Sequence, residues 1–226
     1  MIKNYVIIIS RIHVRSEWIW NKNNVLSEGL AKIKNTKSTK ETILEVATRL
    51  FLTQNYQVVS MDEVAKVCGV TKATVYYYFS TKADLFTATM IQMMIRIREN
   101  MSQILSTNNT LEERLLNFAK VYLHATMDID MKNFMKDAKL SLSEEQLKEL
   151  KKAEDSMYEV LEKALDKAMQ LGEIQKGNPK FAAHAFVSLL SIGNFKDEND
   201  NPIIISIDEL AQEIVSFYWN GLGHSY

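Results

Sequence analysis

Residues 60–82 read SMDEVAKVCGVTKATVYYYFSTK, and two short helical patterns meet in them across a tight turn. The first opens on a capping box: Ser60 can accept from the amide at Glu63 while the Glu63 carboxylate reaches back to the Ser60 amide. Val64, Ala65 and Val67 supply its apolar side. Gly69 falls where the chain must take a left-handed backbone angle to leave a helix, which glycine does without steric cost. Thr71 is placed to cap the second helix, whose Val75 and Phe79 lie four apart and share a face. Thr71, Lys72, Ala73, Thr74, Tyr76 and Tyr77 are left for the flank and the solvent face. Small residues at the start let that helix approach a groove closely, and hydroxyls and a lysine can donate to phosphate or base edges. Thr81 with Asp84 forms a second box. It sets Lys82 at a helix N-terminus, where free amides and the helix dipole favour an anion. The pattern is that of a DNA-reading helix-turn-helix.

Working outward, an amphipathic helix is expected from Ser38 or Thr39 to about Asn55, with Ile43, Val46, Ala47, Leu50 and Phe51 on one stripe. Tyr56 to Val59 reads as a loop. The stripe should pack on Val64, Val67, Val75 and Phe79 to give a three-helix core. On these residues the segment from about Thr39 to Phe86 resembles the DNA-binding domain of the TetR family of bacterial transcriptional regulators. The features that carry the likeness are an amphipathic helix ending in LF, a short loop, and SMDEVAKVCGVTKATVYYYFSTKADLF. Ala73 stands where that family often has glycine, and Cys68 where it usually has a small residue; neither change removes a donor.

The resemblance implies an all-α chain of about nine helices: a homeodomain-like helix-turn-helix domain, residues 38–82, followed by a helical ligand-binding and dimerisation domain, residues 83–226. It implies DNA contacts at Thr71, Lys72, Tyr76, Tyr77 and Lys82, with Ala73 and Thr74 closest to base edges and Tyr78 and Phe79 turned inward. Ser60 joins that set, and Lys37 and Lys40 at the entrance can touch phosphate, although lysines there are commonly just solvated. Residues 1–37 form a basic-rich extension, able to act as an arm along DNA or as a tail without specific contacts.

Composition agrees with the class. Among 226 residues there are only seven glycines and two prolines, and windows rich in Leu, Lys, Glu, Ala and Met carry helical period. The net charge of −1 hides an asymmetry: 14 basic and 8 acidic residues up to Leu105, then 13 basic and 20 acidic. A positive front suits a polyanionic partner. One cysteine, Cys68, excludes an internal disulfide and suits a reducing compartment. With no apolar run of membrane-spanning length and no secretory leader pattern, a cytoplasmic protein is expected.

The rear half reads as a helix from Ala83 to about Leu105, a break at Thr107 to Thr110, a capped helix to about Thr126, a shorter one over Asp128 to Lys139, and a long one from Ser143 to Leu171 stopped by Gly172. Asn178 and Pro179 open another, and Ser206 and Glu209 the last. Met90, Met94, Met101, Phe118, Tyr122, Met127, Met131, Phe134 and Met157 are candidates to line a ligand cavity, or are plain core. Phe181, Ala185, Phe186, Leu189, Leu210, Ile214, Phe217 and Tyr218 are candidates for a homodimer interface, or again core. His124 and Asp128 lie one turn apart, but nothing nearby completes a metal site, and no cofactor is expected. Phosphate loops, nucleophile elbows and paired carboxylates are absent, so an enzyme is disfavoured. The expected function is a regulator, a repressor by the family's default, released from a palindromic operator by a small, largely apolar ligand. The alternative is a dimer that binds DNA constitutively.

Overall fold

The computed structural model describes residues 38–126, 131–195, 198 and 206–221. Nine α-helices occur among them: α1 Thr39–Val58, α2 Met61–Cys68, α3 Lys72–Tyr78, α4 Lys82–Leu105, α5 Leu111–Thr126, α6 Met131–Lys139, α7 Glu144–Leu171, α8 Pro179–Leu190 and α9 Ile207–Gly221, with a 3-10 turn at Ser191–Asn194. No strand occurs among the described residues. The fold is all-α.

The caps lie where the sequence placed most of them. Ser38, Thr81 and Ser143 close reciprocal boxes with Glu41, Asp84 and Gln146, and Thr110 does so with Glu113. Gly172 ends α7 at φ 75°, and Asn178 caps α8 ahead of Pro179. At Ser60 only half of the expected box forms. Its hydroxyl accepts from the Glu63 amide at 3.1 Å, but the Glu63 carboxylate instead accepts from Gln54 Nε2 at 2.9 Å, tying α2 to α1.

Two hydrophobic cores result. The front one gathers Ile43, Leu44, Ala47, Leu50, Phe51, Tyr56, Val59, Met61, Val64, Ala65, Val75 and Phe79, and extends to Leu85, Phe86, Met90, Ala138 and Leu150. Val67, expected inside, is 44% exposed, because at the end of an eight-residue helix its direction misses α1. The rear core joins Met101 and Leu105 of α4 to α5, α7, α8 and α9. One helix therefore carries side chains in both cores, Leu85, Phe86 and Met90 at one end and Met101 and Leu105 at the other. The Asp84 carboxylate strengthens the crossing. One oxygen accepts from the Thr81 amide in its box, and the other from Gln146 Nε2 at the start of α7, 2.8 Å away.

α1 breaks at Asn55, with φ 72° and ψ 160°, a region that L-residues rarely visit. The break coincides with the expected helix end and turns Tyr56 inward. There the ring stacks on Phe51 with centroids 6.0 Å apart and meets Phe86 edge-on at 5.1 Å. Asn55 is exposed and needs no side chain for this. Asn55→Gly should relieve the backbone strain, offset in part by glycine's greater freedom when unfolded, for a net gain of about 1 kcal/mol. A urea titration reads this as a higher midpoint with an unchanged slope; a lower midpoint would show that the backbone angle is not strained.

Candidate nucleic-acid interface

The turn between α2 and α3 is built by Gly69. At φ 68°, ψ 27° its amide donates to the Ala65 and Lys66 carbonyls, and Val70 N–H donates to Ala65 O at 3.1 Å. These bonds satisfy the last carbonyls of α2 and aim α3 across it. Thr71 caps α3, its hydroxyl accepting from the Thr74 amide at 3.1 Å and lying 2.8 Å from the Thr74 hydroxyl. Val75 and Phe79 are buried, as their spacing required. Rotation about that anchored face leaves Thr71, Lys72, Ala73, Tyr76 and Tyr77 exposed and Thr74 half-buried, with Tyr77 82% exposed. Tyr78, expected to turn inward, is instead exposed and meets Tyr77 edge-on at 5.0 Å. α3 is a seven-residue helix anchored by a single buried residue, so a third tyrosine has no core to enter.

The lysines behave differently from one another. Lys72 Nζ lies 2.7 Å from Asp62 Oδ1 and 5.8 Å from the centroid of the Tyr76 ring, and the hydrogen bond it donates to the Asp62 carboxylate holds its pKa above the ordinary lysine value. It stays charged, but in the free protein it is paired. Lys82 donates to the Gln57 carbonyl at 3.1 Å and sits 4.5 Å from the Tyr56 ring centroid; burial lowers its pKa. This corrects the picture of a free ammonium at a helix N-terminus: Lys82 also ties α4 to the end of α1. Lys40 lies 5.9 Å from the Phe79 ring centroid and borders a cleft away from α3. Ser60 is exposed and spends its hydroxyl on its cap. Lys37 lies outside the described residues.

Cys68 is half-buried, with Sγ 4.0 Å from the Thr42 carbonyl oxygen. Burial raises its pKa and Arg49 opposes this with a smaller effect, so the thiol is not activated. Arg49 is nineteen positions away in sequence and reaches Cys68 only through the fold.

The rear candidates separate sharply. Met90 belongs to the front core, so it is not a rear cavity residue. Met101 and Phe118 are buried in the rear core, with Tyr122 and Met157 packed against it. Met94 is half-buried. Met127 lies outside the described residues, as do the side chains of Met131 and Phe134. Of the dimer candidates, Phe186, Leu210, Ile214 and Tyr218 are sealed in the chain's own core; the Tyr218 hydroxyl donates to the Ala182 carbonyl at 2.8 Å. Their side chains are taken and cannot themselves form a surface. Ala185 and Leu189 pack partly against that core, while Phe181 and Phe217 project outward, 73% and 71% exposed. Helical period marked all eight as apolar but could not separate inward from outward on helices this hydrophobic.

The model for bacterial regulatory proteins of the tetR family matches residues 43–89, a span that runs from the core stripe of α1 through α3 into α4. Over that span the chain is similar to the TetR family. Its similarity to relatives extends beyond the matched span. The HTH-type transcriptional regulator YhgD of Bacillus subtilis is 24% identical over 165 residues, covering 72% of this chain and 86% of that one. Among solved structures, the transcriptional regulator FadR from Bacillus subtilis in complex with stearoyl-CoA superposes with a TM-score of 0.65 at 18% identity, over 80% of this chain and 98% of that one. AibR in complex with isovaleryl coenzyme A and operator DNA gives 0.58 at 22% identity, over 80% and 97%. At those identities the structural likeness speaks for the fold. TetR-family members are helix-turn-helix transcriptional regulators and not enzymes. Among the described residues no group of three or more metal-ligating side chains occurs, and no helix is long and apolar enough to cross a membrane.

Proposed function

We propose that this chain is a TetR-family regulator that acts in the cytoplasm as a homodimer, inserting α3 of each protomer into the major groove of a palindromic operator, as a repressor released by a small, largely apolar ligand. The observation that carries the DNA part is the α3 surface. Val75 and Phe79 hold it to the core while Lys72, Ala73, Tyr76 and Tyr77 face solvent without packing duty. In this reading Thr71, Lys72, Thr74, Tyr76 and Tyr77 contact the duplex, Lys40, Ser60 and Lys82 flank it, and residues 38–82 work as the reading head. The exposure of Phe181 on α8 and Phe217 on α9 supports a second copy covering them. Single helix-turn-helix units seldom bind tightly alone, so the symmetric pair is part of the mechanism.

Ligand control is supported by α4, whose two ends lie in two cores: a tilt of one end moves the other. A ligand shifts DNA affinity only by its differential affinity for the two arrangements. AibR, similar to this chain in fold, forms a complex with isovaleryl coenzyme A and operator DNA, which supports the same pairing of ligand and operator here.

Duplexes selected from a random-sequence pool by the purified protein should share a two-fold symmetric site, with binding that weakens steeply as salt rises. Asp62→Asn should then strengthen binding about three- to tenfold, because it frees Lys72 for phosphate and removes a negative charge beside the duplex. Failure to enrich any duplex at low salt would end the DNA reading. An unchanged affinity in Asp62→Asn would remove Lys72 from the contact set alone.

A further inference from the structure

Two helix N-termini are joined through their capping side chains. At the start of α4 the Asp84 carboxylate accepts from the Thr81 amide through Oδ2 at 3.0 Å, and at the start of α7 Gln146 Oε1 accepts from the Ser143 amide at 2.9 Å. Each side chain has one polar atom left after closing its own box, and these two meet: Gln146 Nε2 donates to Asp84 Oδ1 at 2.8 Å, across 62 positions of sequence. Both residues are half-buried, where water competes less for the bond than on an open surface. Glutamate would serve the α7 box as well as glutamine does, so the amide nitrogen of Gln146 is more than its own cap requires. The bridge sits where the reading head meets the rear helices. Like α4, α7 carries side chains in both cores, Leu150 in the front one and Leu161, Leu165, Ala168 and Met169 in the rear one. Leu150 follows Gln146 by one helical turn and, with Ala138 of α6, supplies apolar contact to the head. Burial of that kind is non-directional and tolerates sliding, whereas a hydrogen bond to a carboxylate is lost when donor and acceptor separate or turn.

We propose that Gln146 is a positioning residue for operator recognition: through Asp84 it fixes the angle of the reading head on the α4–α7 pair, and with it the half-site spacing that the dimer accepts. Asp84 lies five residues beyond Phe79, the buried residue that ends α3, so a shift of Asp84 against α7 carries the reading helix with it. The spacing part rests on the DNA reading above; the fixing of the angle does not. Without the bridge the head samples more orientations. The geometry that one operator demands is then populated less often, and other spacings are met more often.

The test uses the full chain. Gln146→Glu keeps the acceptor for the Ser143 amide but turns a carboxylate toward Asp84 in place of the donor. Adding Asp84→Asn restores a bridge of reversed polarity, the new amide donating to the new carboxylate. Spin labels at Lys66 on the head and Lys167 on α7, both exposed, in a Cys68→Ser background and diluted with unlabelled chain, read the distance within one chain by pulsed EPR. The distance distribution should be narrow in the labelled parent, about twice as broad or more in Gln146→Glu, and narrow again in the double variant, with melting temperatures of all three close together. When the half-sites of a selected operator are moved apart by one base pair, the parent should lose about tenfold in affinity and Gln146→Glu only about threefold, although Gln146→Glu binds the original operator about three- to tenfold more weakly. A merely structural role would weaken all spacings alike. An unchanged distance distribution in Gln146→Glu, a double variant as broad as the single one, or an unaltered spacing preference in Gln146→Glu would each overturn the proposal. If the parent bound no duplex, the DNA reading would fall instead, and the distances would still decide whether Gln146 holds the head.

Discussion

Tyr77→Ala is expected to lower operator affinity roughly a hundredfold while leaving the melting temperature nearly unchanged. The two halves of that result come from one fact, the 82% exposure of the ring. Its described ring contact is an edge-on approach to Tyr78, itself exposed, so truncation opens no cavity and stability should stay within about 0.5 kcal/mol. The loss in binding is large because a symmetric dimer presents the residue twice. A contact worth about 1–2 kcal/mol per half-site becomes about 2–4 kcal/mol per complex. Tyr77→Phe separates ring from hydroxyl: retained affinity would assign the contact to the apolar face, and a loss as large as in Tyr77→Ala to a hydrogen bond. Fluorescence anisotropy at fixed salt measures both variants. An affinity equal to the parent in Tyr77→Ala would remove this tyrosine from the interface and leave α3 resting on its N-terminal turn.

How far the sequence reached can be judged from particular residues. The caps at Ser38, Thr71, Thr81, Thr110, Ser143 and Asn178 were legible because each depends on contacts within four residues. Gly69 and Gly172 were legible because a left-handed angle leaves few choices of residue. What escaped was made by distant segments. Glu63 is drawn from its own cap to Gln54, Lys82 is committed to Gln57 and Tyr56, and Asp84 reaches across to Gln146. Period alone placed Phe186 and Phe217 together, yet one is sealed and the other bare, since on helices with several apolar faces only the neighbours decide. Thr87 had no sequence signal at all: a threonine in mid-helix is unremarkable until its hydroxyl is found without a partner.

Phe86→Ala is expected to do the opposite of the tyrosine change, acting on the fold first and on DNA only through it. Phe86 is fully buried and meets both Phe51 and Tyr56 edge-on at 5.1 Å, so one ring from α4 locks two from α1. Truncating such a residue costs about 3–5 kcal/mol through lost burial and the cavity left behind. That is a large share of the roughly 5–15 kcal/mol available to an ordinary domain. The damage should be local, because Met101, Leu115, Leu161 and Phe186 pack in a different cluster. Hydrogen exchange should therefore accelerate over residues 43–90 while amides in α5, α8 and α9 keep their protection, and operator binding should fail at temperatures where the rear core still stands. Phe86→Leu, which keeps most of the volume, should lose less than half as much. If exchange instead rose evenly along the chain, the two cores would form one cooperative unit. α4 would then be unable to pivot between them, and ligand control would need a route other than the tilt of this helix.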